Sequence, residues 1–147
     1  MKEEEGQTKR ICVVLDTNVL VAALITSNPM SPTAQIISFL YKGILKPVYN
    51  DKIIEEYLDV LNRKHFNFNP KIVEELINTV QALGLNIKET VKTDEIFPDP
   101  DDIVFYEVRM SVEDSYLVTG NQKHFPVKPF IVTPTQMVEI LRTRKLI

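Results

Sequence analysis

The segment Ile11-Cys12-Val13-Val14-Leu15-Asp16-Thr17-Asn18 joins a short apolar run to a polar turn. Five consecutive apolar residues, several of them β-branched, predict a buried β-strand that ends before the turn. Asp16 follows this strand directly, at a position where burying a carboxylate is costly unless the side chain is used. Asp16 is therefore the first candidate functional residue of the chain.

The rest of the chain alternates short apolar runs with longer helical patterns. Strands are predicted at 45–49, 85–89, 116–119 and 130–132, and helices at 19–25, 32–41, 52–64, 70–83, 103–112 and 134–142. This order predicts an α/β fold, a three-layer α/β/α single domain with a short, mostly parallel central sheet covered on both faces. Residues 1–9 are expected to form a disordered leader and residues 10–147 the folded domain.

Length and composition limit the classes of protein to consider. The chain has 147 residues, which fits one domain of ordinary size, and a single cysteine, which excludes an internal disulfide. Its longest apolar run, Val19 to Ile25, is too short for a membrane helix, and the acidic start is unlike a signal peptide. We expect a cytoplasmic protein with no membrane partner.

The net charge of −3 and the pI near 5.4 argue against a simple nucleic-acid coat protein, which would be basic. An enzyme that binds phosphate through metal ions escapes this objection, since the bound cations supply positive charge locally.

Acidic residues fall where several predicted strands end. Ligands of parallel sheets bind beyond the carboxyl ends of the strands, so these side chains should meet at one edge. Oxygen ligands of this kind suit Mg²⁺ or Mn²⁺, which assist phosphodiester cleavage. The candidates are Asp16; Asp51, Glu55 and Glu56; Asp99, Asp101 and Asp102; and Asn121.

Helix capping offers an alternative explanation for part of this set. Asp99 before Pro100 fits an N-cap, and Asp102 lies near a capping-box position. Glu55 and Glu56 in the first turns of a helix suit the helix dipole, and helical spacing alone barely separates the two.

Four motifs in order resemble PIN domains, over about residues 10–143. The closest subgroup is that of the toxins of toxin–antitoxin systems, the VapC-like ribonucleases. The motifs are Val14-Leu15-Asp16-Thr17-Asn18, Glu55-Glu56-Tyr57-Leu58-Asp59-Val60-Leu61, Asp99-Pro100-Asp101-Asp102 and Tyr116-Leu117-Val118-Thr119-Gly120-Asn121.

The resemblance implies a metal-dependent endoribonuclease that uses Mg²⁺ or Mn²⁺. Asp16, Glu56 and Asp102 match the family's catalytic, metal-binding acidic positions, and it is the resemblance that selects Glu56. The family's fourth acidic position falls on Asn121, an oxygen ligand without charge, and Asp99 is a further candidate ligand.

The resemblance also implies supporting residues and partners. Asn18 and Thr119 match polar positions that orient the first aspartate. RNA is the implied substrate and an antitoxin protein the implied partner, and we expect a homodimer or a higher homo-oligomer. Basic side chains that could contact phosphates are Arg63, Lys64, Lys123 and His124, and also Arg142, Arg144 and Lys145.

Other functions have less support from the residues. An aspartyl phosphotransferase would carry a second acid two residues after Asp16, where this chain has Asn18. A metal-free ribonuclease would require an acid–base pair, for which only His65 and His124 are present. The main alternative is a degenerate PIN domain that binds RNA or a protein without cleaving, and Asn121 is the one feature that favours it.

Overall fold

A computed structural model describes residues 10–147, and the predicted leader, residues 1–9, lies outside the described residues. The strands are β1 (Ile11–Leu15), β2 (Leu45–Tyr49), β3 (Leu85–Asn86), β4 (Ser115–Val118) and β5 (Ile131–Val132). The helices are α1 (Thr17–Ile25), α2 (Pro32–Tyr41), α3 (Asp51–Leu61), α4 (Pro70–Leu83), α5 (Ile103–Met110) and α6 (Pro134–Thr143). None of the helices in residues 10–147 has the length and apolar character needed to span a bilayer.

The five strands form one parallel sheet in the order β3-β2-β1-β4-β5. Helix α2 packs against α1 and α6, whereas α5 packs against α3 and against β1, β2 and β4. The predicted three-layer α/β/α fold is therefore confirmed, and the sheet is parallel throughout.

The central strand, β1, is covered on both faces by the core. Val13, Val14 and Leu15 are almost completely inaccessible to solvent, as expected for a strand between two helical layers.

Polar N-cap residues determine where four of the helices begin. Each cap side chain accepts a hydrogen bond from the first turn of its helix, and the caps are Ser31, Asn50, Asn69 and Thr133.

Four predicted elements differ from the structure by two residues or more. The first helix begins at Thr17 instead of Val19. Helix α3 stops at Leu61 instead of continuing to residue 64, because Asn62 leaves the helical conformation and caps it. Strand β3 has two residues instead of five, and only Leu85 and Asn86 pair with β2. The predicted helix at 103–112 ends at Met110 and is preceded by a 3₁₀ turn, Pro100–Asp102.

Tyr57 connects helix α3 to the end of the central strand. Its buried hydroxyl donates a hydrogen bond of 2.6 Å to the carbonyl oxygen of Leu15, the residue before Asp16. The Tyr57 ring also packs near the Phe105 ring, with their centroids 6.2 Å apart. Helix α3 is thereby held against the strand that carries Asp16.

We predict that Tyr57→Phe lowers the free energy of unfolding by about 1–3 kcal/mol, because it leaves a buried carbonyl oxygen without its donor. The matched control is Tyr49→Phe, whose hydroxyl donates to the Gln81 carbonyl at 3.2 Å in a partly buried position. Denaturant unfolding of both variants checks this, and an equal or greater loss for Tyr49→Phe would contradict it.

Candidate active site

The parallel pairing of β1 with β4 brings Asp16 next to Thr119. Leu15 lies opposite Val118 in the sheet, and the Asp16 backbone N–H donates to the Val118 carbonyl at 2.9 Å. The next residue of each strand is therefore Asp16 on one side and Thr119 on the other. The Thr119 hydroxyl donates a hydrogen bond of 2.8 Å to Asp16 Oδ2, across 103 residues of sequence.

Asp16 is held by a second hydrogen bond at the same oxygen. Asn18 Nδ2 donates to Oδ2 at 3.2 Å, and Asn18 Oδ1 accepts from the Gly120 backbone N–H at 3.1 Å. Asn18 thus links the ends of β1 and β4 through the carboxylate. Burial raises the pKa of Asp16, while the hydrogen bonds from Thr119 and Asn18 and the charge of His124 oppose that rise.

Helix α3 carries the second acidic side chain, and its two adjacent glutamates differ in environment. Glu55 is exposed, whereas Glu56 is half-buried. Burial raises the pKa of Glu56, and the charges of Asp101, Asp59 and Asp16 raise it further while Arg63 lowers it. Glu56 therefore faces the other carboxylates, which helical spacing in the sequence could not decide.

Of the aspartates before α5, Asp99 caps the 3₁₀ turn and Asp102 does not act as a cap. Asp99 is exposed, and its Oδ1 accepts a hydrogen bond of 2.9 Å from the Asp101 backbone N–H, as expected for a cap. Asp102 makes no capping bond. Its Oδ2 is buried and, among the described residues, has no hydrogen-bond partner, so capping does not explain Asp102.

The electrostatic environment of Asp102 is that of a carboxylate among like charges. Burial raises its pKa from the ordinary 3.8 to about 6, and the charges of Asp16 and Asp99 add to the rise. His124 opposes it, since Nδ1 of His124 lies 3.4 Å from Asp102 Oδ2. At that separation the contact is an ion pair when the imidazole is protonated, and not a well-formed hydrogen bond.

His124 makes more contacts at this edge of the sheet than the sequence predicts. It was predicted only at the substrate approach, yet it contacts Asp102 and also the Asn121 side-chain amide, whose Nδ2 lies 3.3 and 3.2 Å from the two ring nitrogens. Asn121 is therefore connected to the other site residues through its contact with His124. The 3₁₀ turn of residues Gln122–His124 brings His124 back to this edge, and a turn of that kind has only a weak sequence signal.

The other predicted basic residues lie further out. Arg63 forms an exposed ion pair with Asp59 at 3.1 Å and lies near enough to lower the pKa of Glu56. Lys64 and Lys123 are exposed. His65 is also exposed and packs against the Phe66 ring at 4.2 Å, so among the described residues it makes no contact with His124.

Asp101, which the sequence placed only within the acidic group, lines a cavity with Glu56. This cavity has a volume of about 360 Å³ and lies between α3 and the 3₁₀ turn before α5. Its other lining residues are Lys52, Glu55, Asp59, Pro100 and Val104.

The side chains at this edge of the sheet are of the chemical type that binds divalent cations. They are hard oxygen donors, and two polar atoms, Asp102 Oδ2 and Thr17 Oγ1, are buried without hydrogen-bond partners in the described part of the chain. Within residues 10–147, however, no three Asp, Glu, His or Cys side chains stand close enough together to hold one ion. Repulsion between like charges keeps carboxylates apart when no cation lies between them.

Comparison with known proteins identifies the family. The model of the PIN domain family matches residues 12–123, which include Asp16, Glu56, Asp102 and Asn121. The chain belongs to the PIN domain family. PIN domains are generally nucleases and typically use divalent metals. Searches of curated proteins and of solved structures found no significant match.

We predict that the metal-free protein loses stability as the pH rises from about 4 to about 6. The folded-state pKa of Asp102, about 6, lies above its ordinary 3.8. The native state therefore holds more protons than the unfolded state within this window, and the free energy of unfolding falls as the proton leaves. Asp102→Asn should flatten this fall, although Asp16 and Glu56, with pKa values also raised by burial, leave part of it.

Denaturant unfolding at pH 4, 5, 6 and 7 in EDTA measures this dependence. Glu55→Gln is the matched control, because it removes one carboxylate from an exposed position on α3. An Asp102→Asn protein whose stability depends on pH as steeply as that of the wild type would contradict the prediction.

Proposed function

We propose that this protein is a metal-dependent endoribonuclease that hydrolyses RNA phosphodiester bonds, and that it is the toxin of a toxin–antitoxin system. The observation that carries the nuclease proposal is the anchored Asp16 carboxylate, which is held by Thr119 and Asn18 at the edge where Asp102 and Glu56 also lie within electrostatic range. Such a constellation from four chain segments is costly to bury without a use.

The residues divide into ligands and positioning groups. Asp16, Glu56 and Asp102 are the proposed metal ligands and catalytic carboxylates, with Asp99 and Asn121 as additional ligand candidates. Thr119 and Asn18 hold Asp16 in one orientation through its Oδ2, which leaves Oδ1 free of those two bonds. Nδ1 of His124 lies 3.4 Å from Asp102 Oδ2, where the imidazole offsets carboxylate charge when it is protonated.

Mg²⁺ or Mn²⁺, when bound, would neutralise charge on the scissile phosphate and lower the pKa of a water molecule. Cation binding also explains how a chain of net charge −3 can act on a polyanion. Without the cation, the carboxylates at this edge would repel a phosphate group.

A route for the RNA leads away from the acidic edge along helix α3. Lys52 lines the acidic cavity and also a larger neighbouring cavity of about 570 Å³, which Lys88 and Lys92 line as well. Lysines placed along a groove bind the phosphate backbone irrespective of base sequence. The groove therefore supports a nucleic-acid substrate that continues beyond the cleavage point.

The toxin role, the antitoxin partner and a homodimeric or higher homo-oligomeric state are supported by the resemblance to VapC-like ribonucleases. The test is production of the protein in a bacterial host, with growth and RNA integrity followed over time. Growth arrest by the wild type and normal growth with Asp16→Asn would support the toxin role. Unimpaired growth with active enzyme in the cells would contradict it.

A second candidate function is a degenerate PIN domain that binds RNA or a protein without cleaving it. Asn121 favours this function, because an amide at the family's fourth acidic position brings no charge to a metal. A melting temperature that does not respond to millimolar Mn²⁺ would support it, since a cation that binds the native state raises the melting temperature.

We predict that the purified protein cleaves mixed RNA in Mg²⁺ or Mn²⁺, and that EDTA abolishes cleavage. Asp16→Asn should lose at least about a hundredfold in rate, because it removes the charge of the anchored carboxylate. Gel analysis of RNA fragments measures the rates, with Glu139→Gln as the control because Glu139 is exposed on α6, outside the acidic cavity, and is paired with Arg142. Cleavage that survives EDTA and requires His124 would refute the carboxylate mechanism.

We predict that Asn121→Asp increases the affinity for Mn²⁺ by about tenfold. A carboxylate near a divalent ion gains several kcal/mol at an effective dielectric of about 20, and repulsion and desolvation leave roughly 1–2 kcal/mol. The His124 ring contacts this side chain and, when protonated, competes with the metal for the new charge.

Calorimetric titration of Asn121→Asp with Mn²⁺, alone and together with His124→Asn, therefore measures both effects. The gain in affinity should be larger with His124→Asn. Equal or weaker binding by both aspartate variants would show that position 121 does not face the metal.

A further inference from the structure

Three arginines surround one pocket at the edge of the sheet opposite the candidate active site. The pocket has a volume of about 440 Å³ and lies where β1 and β4 begin. Arg10, Arg109 and Arg144 line it together with Ile11, Asp114, Ser115, Tyr116, Pro129 and Phe130. At about 3.3 Å per strand residue, the six steps from Arg10 to Asp16 separate this arginine pocket from the acidic edge by about 20 Å.

Two of the three arginines of this pocket, Arg109 and Arg144, contact aromatic rings. The Arg109 guanidinium lies over the Phe130 ring at 3.8 Å, and Arg144 donates a hydrogen bond of 2.8 Å to the Tyr116 hydroxyl. Among residues 10–147, none of the three arginines forms an ion pair. In a protein of net charge −3, three guanidinium groups line this pocket, and Asp114 is the one carboxylate among its described lining residues.

Arg109 is unusual because its burial is not compensated. Its Nε is buried and has no hydrogen-bond partner in the described part of the chain, and its one hydrogen bond, from Nη1 to the Val112 carbonyl, is long at 3.5 Å. Burial lowers the pKa of Arg109, while the nearby Asp114 carboxylate raises it. Because Nε itself is inaccessible, an anion in the pocket would pair with the charge of the guanidinium group as a whole and not with this atom.

We propose that the arginine pocket binds a phosphate group of a single-stranded RNA, at a position remote from the cleavage site. Guanidinium groups match phosphate oxygens in pairs of parallel hydrogen bonds, and a guanidinium held flat on a ring has lost little freedom on binding. The pocket volume is within the range of small-molecule sites, and a base can stack on the guanidinium of Arg144, which lies 5.8 Å from the centroid of the Tyr116 ring.

RNA is a better fit than an acidic protein segment because the pocket combines guanidinium groups with aromatic rings. Phosphate recognition with base stacking uses both features, whereas carboxylates would use only the charge. This inference rests on the proposed function, since it concerns RNA held away from the catalytic edge.

The test measures binding of a fluorescent single-stranded RNA to the full chain in EDTA, where cleavage is prevented. Arg10→Gln/Arg144→Gln is the test variant, because both side chains are exposed. Arg142→Gln is the matched control, since Arg142 lies on α6, is exposed and is paired with Glu139 at 2.8 Å. Arg109 is left unchanged because it packs on Phe130.

The double variant should bind RNA about tenfold more weakly than the wild type, and Arg142→Gln should bind like the wild type. Loss of two phosphate contacts should also reduce the slope of log affinity against log salt by about 1.4, at roughly 0.7 per contact on single strands. Inorganic phosphate should compete with RNA for the wild type and not for the double variant.

Two outcomes would overturn the inference. One is equal RNA affinity and equal salt dependence in the double variant and in Arg142→Gln. The other is arginine-dependent binding of hexaglutamate without arginine-dependent binding of RNA, which would identify the pocket as a site for an acidic protein segment.

The results that would refute the nuclease proposal differ from those that would refute RNA binding in the arginine pocket. Arginine-dependent RNA binding without metal-dependent cleavage would refute only the nuclease, and cleavage with arginine-independent binding would refute only the pocket.

Discussion

The hydrogen bond from the Thr119 hydroxyl to Asp16 Oδ2 depends on the parallel register in which β1 pairs with β4. A slip of one residue would turn Asp16 to the opposite face of the sheet and leave a buried carboxylate without donors. Asn18 adds a second constraint, because its amide donates to Asp16 and accepts from Gly120. The polar turn after the central strand therefore determines the sheet order as much as the apolar run before it.

Charge is distributed unequally between the two ends of the sheet. The carboxyl ends of the strands gather acidic side chains whose pKa values burial raises, with the His124 imidazole beside Asp102. The amino ends gather arginines that lie on aromatic rings. Bulk composition averages these regions to a net charge of −3 and hides both. The sign of a protein's net charge is thus a poor guide to what its individual surfaces bind.

Strand and helix order, the parallel sheet and the convergence of Asp16 and Asp102 on one edge were predictable, because apolar periodicity and strand ends determine them. Helix ends were less predictable: a single polar residue, Asn62, stopped α3 early. The choice of Glu56 over Glu55 depended on family resemblance, since their angular difference on the helix is small. The position of His124 depends on a 3₁₀ turn and on tertiary contacts with Asp102, neither of which leaves a periodic signal.

The central position of β1 has a consequence for the timing of synthesis. A growing chain that has reached residue 98 contains Asp16 and Glu56 but lacks Asp102, Thr119 and His124. After Asp16 has been added to the chain, about a hundred further residues must follow before Thr119, the donor to its carboxylate, is present. Translation adds about 5–20 residues per second. The acidic edge therefore assembles only after synthesis has passed residue 124, when Asp102, Thr119 and His124 have all been added to the chain.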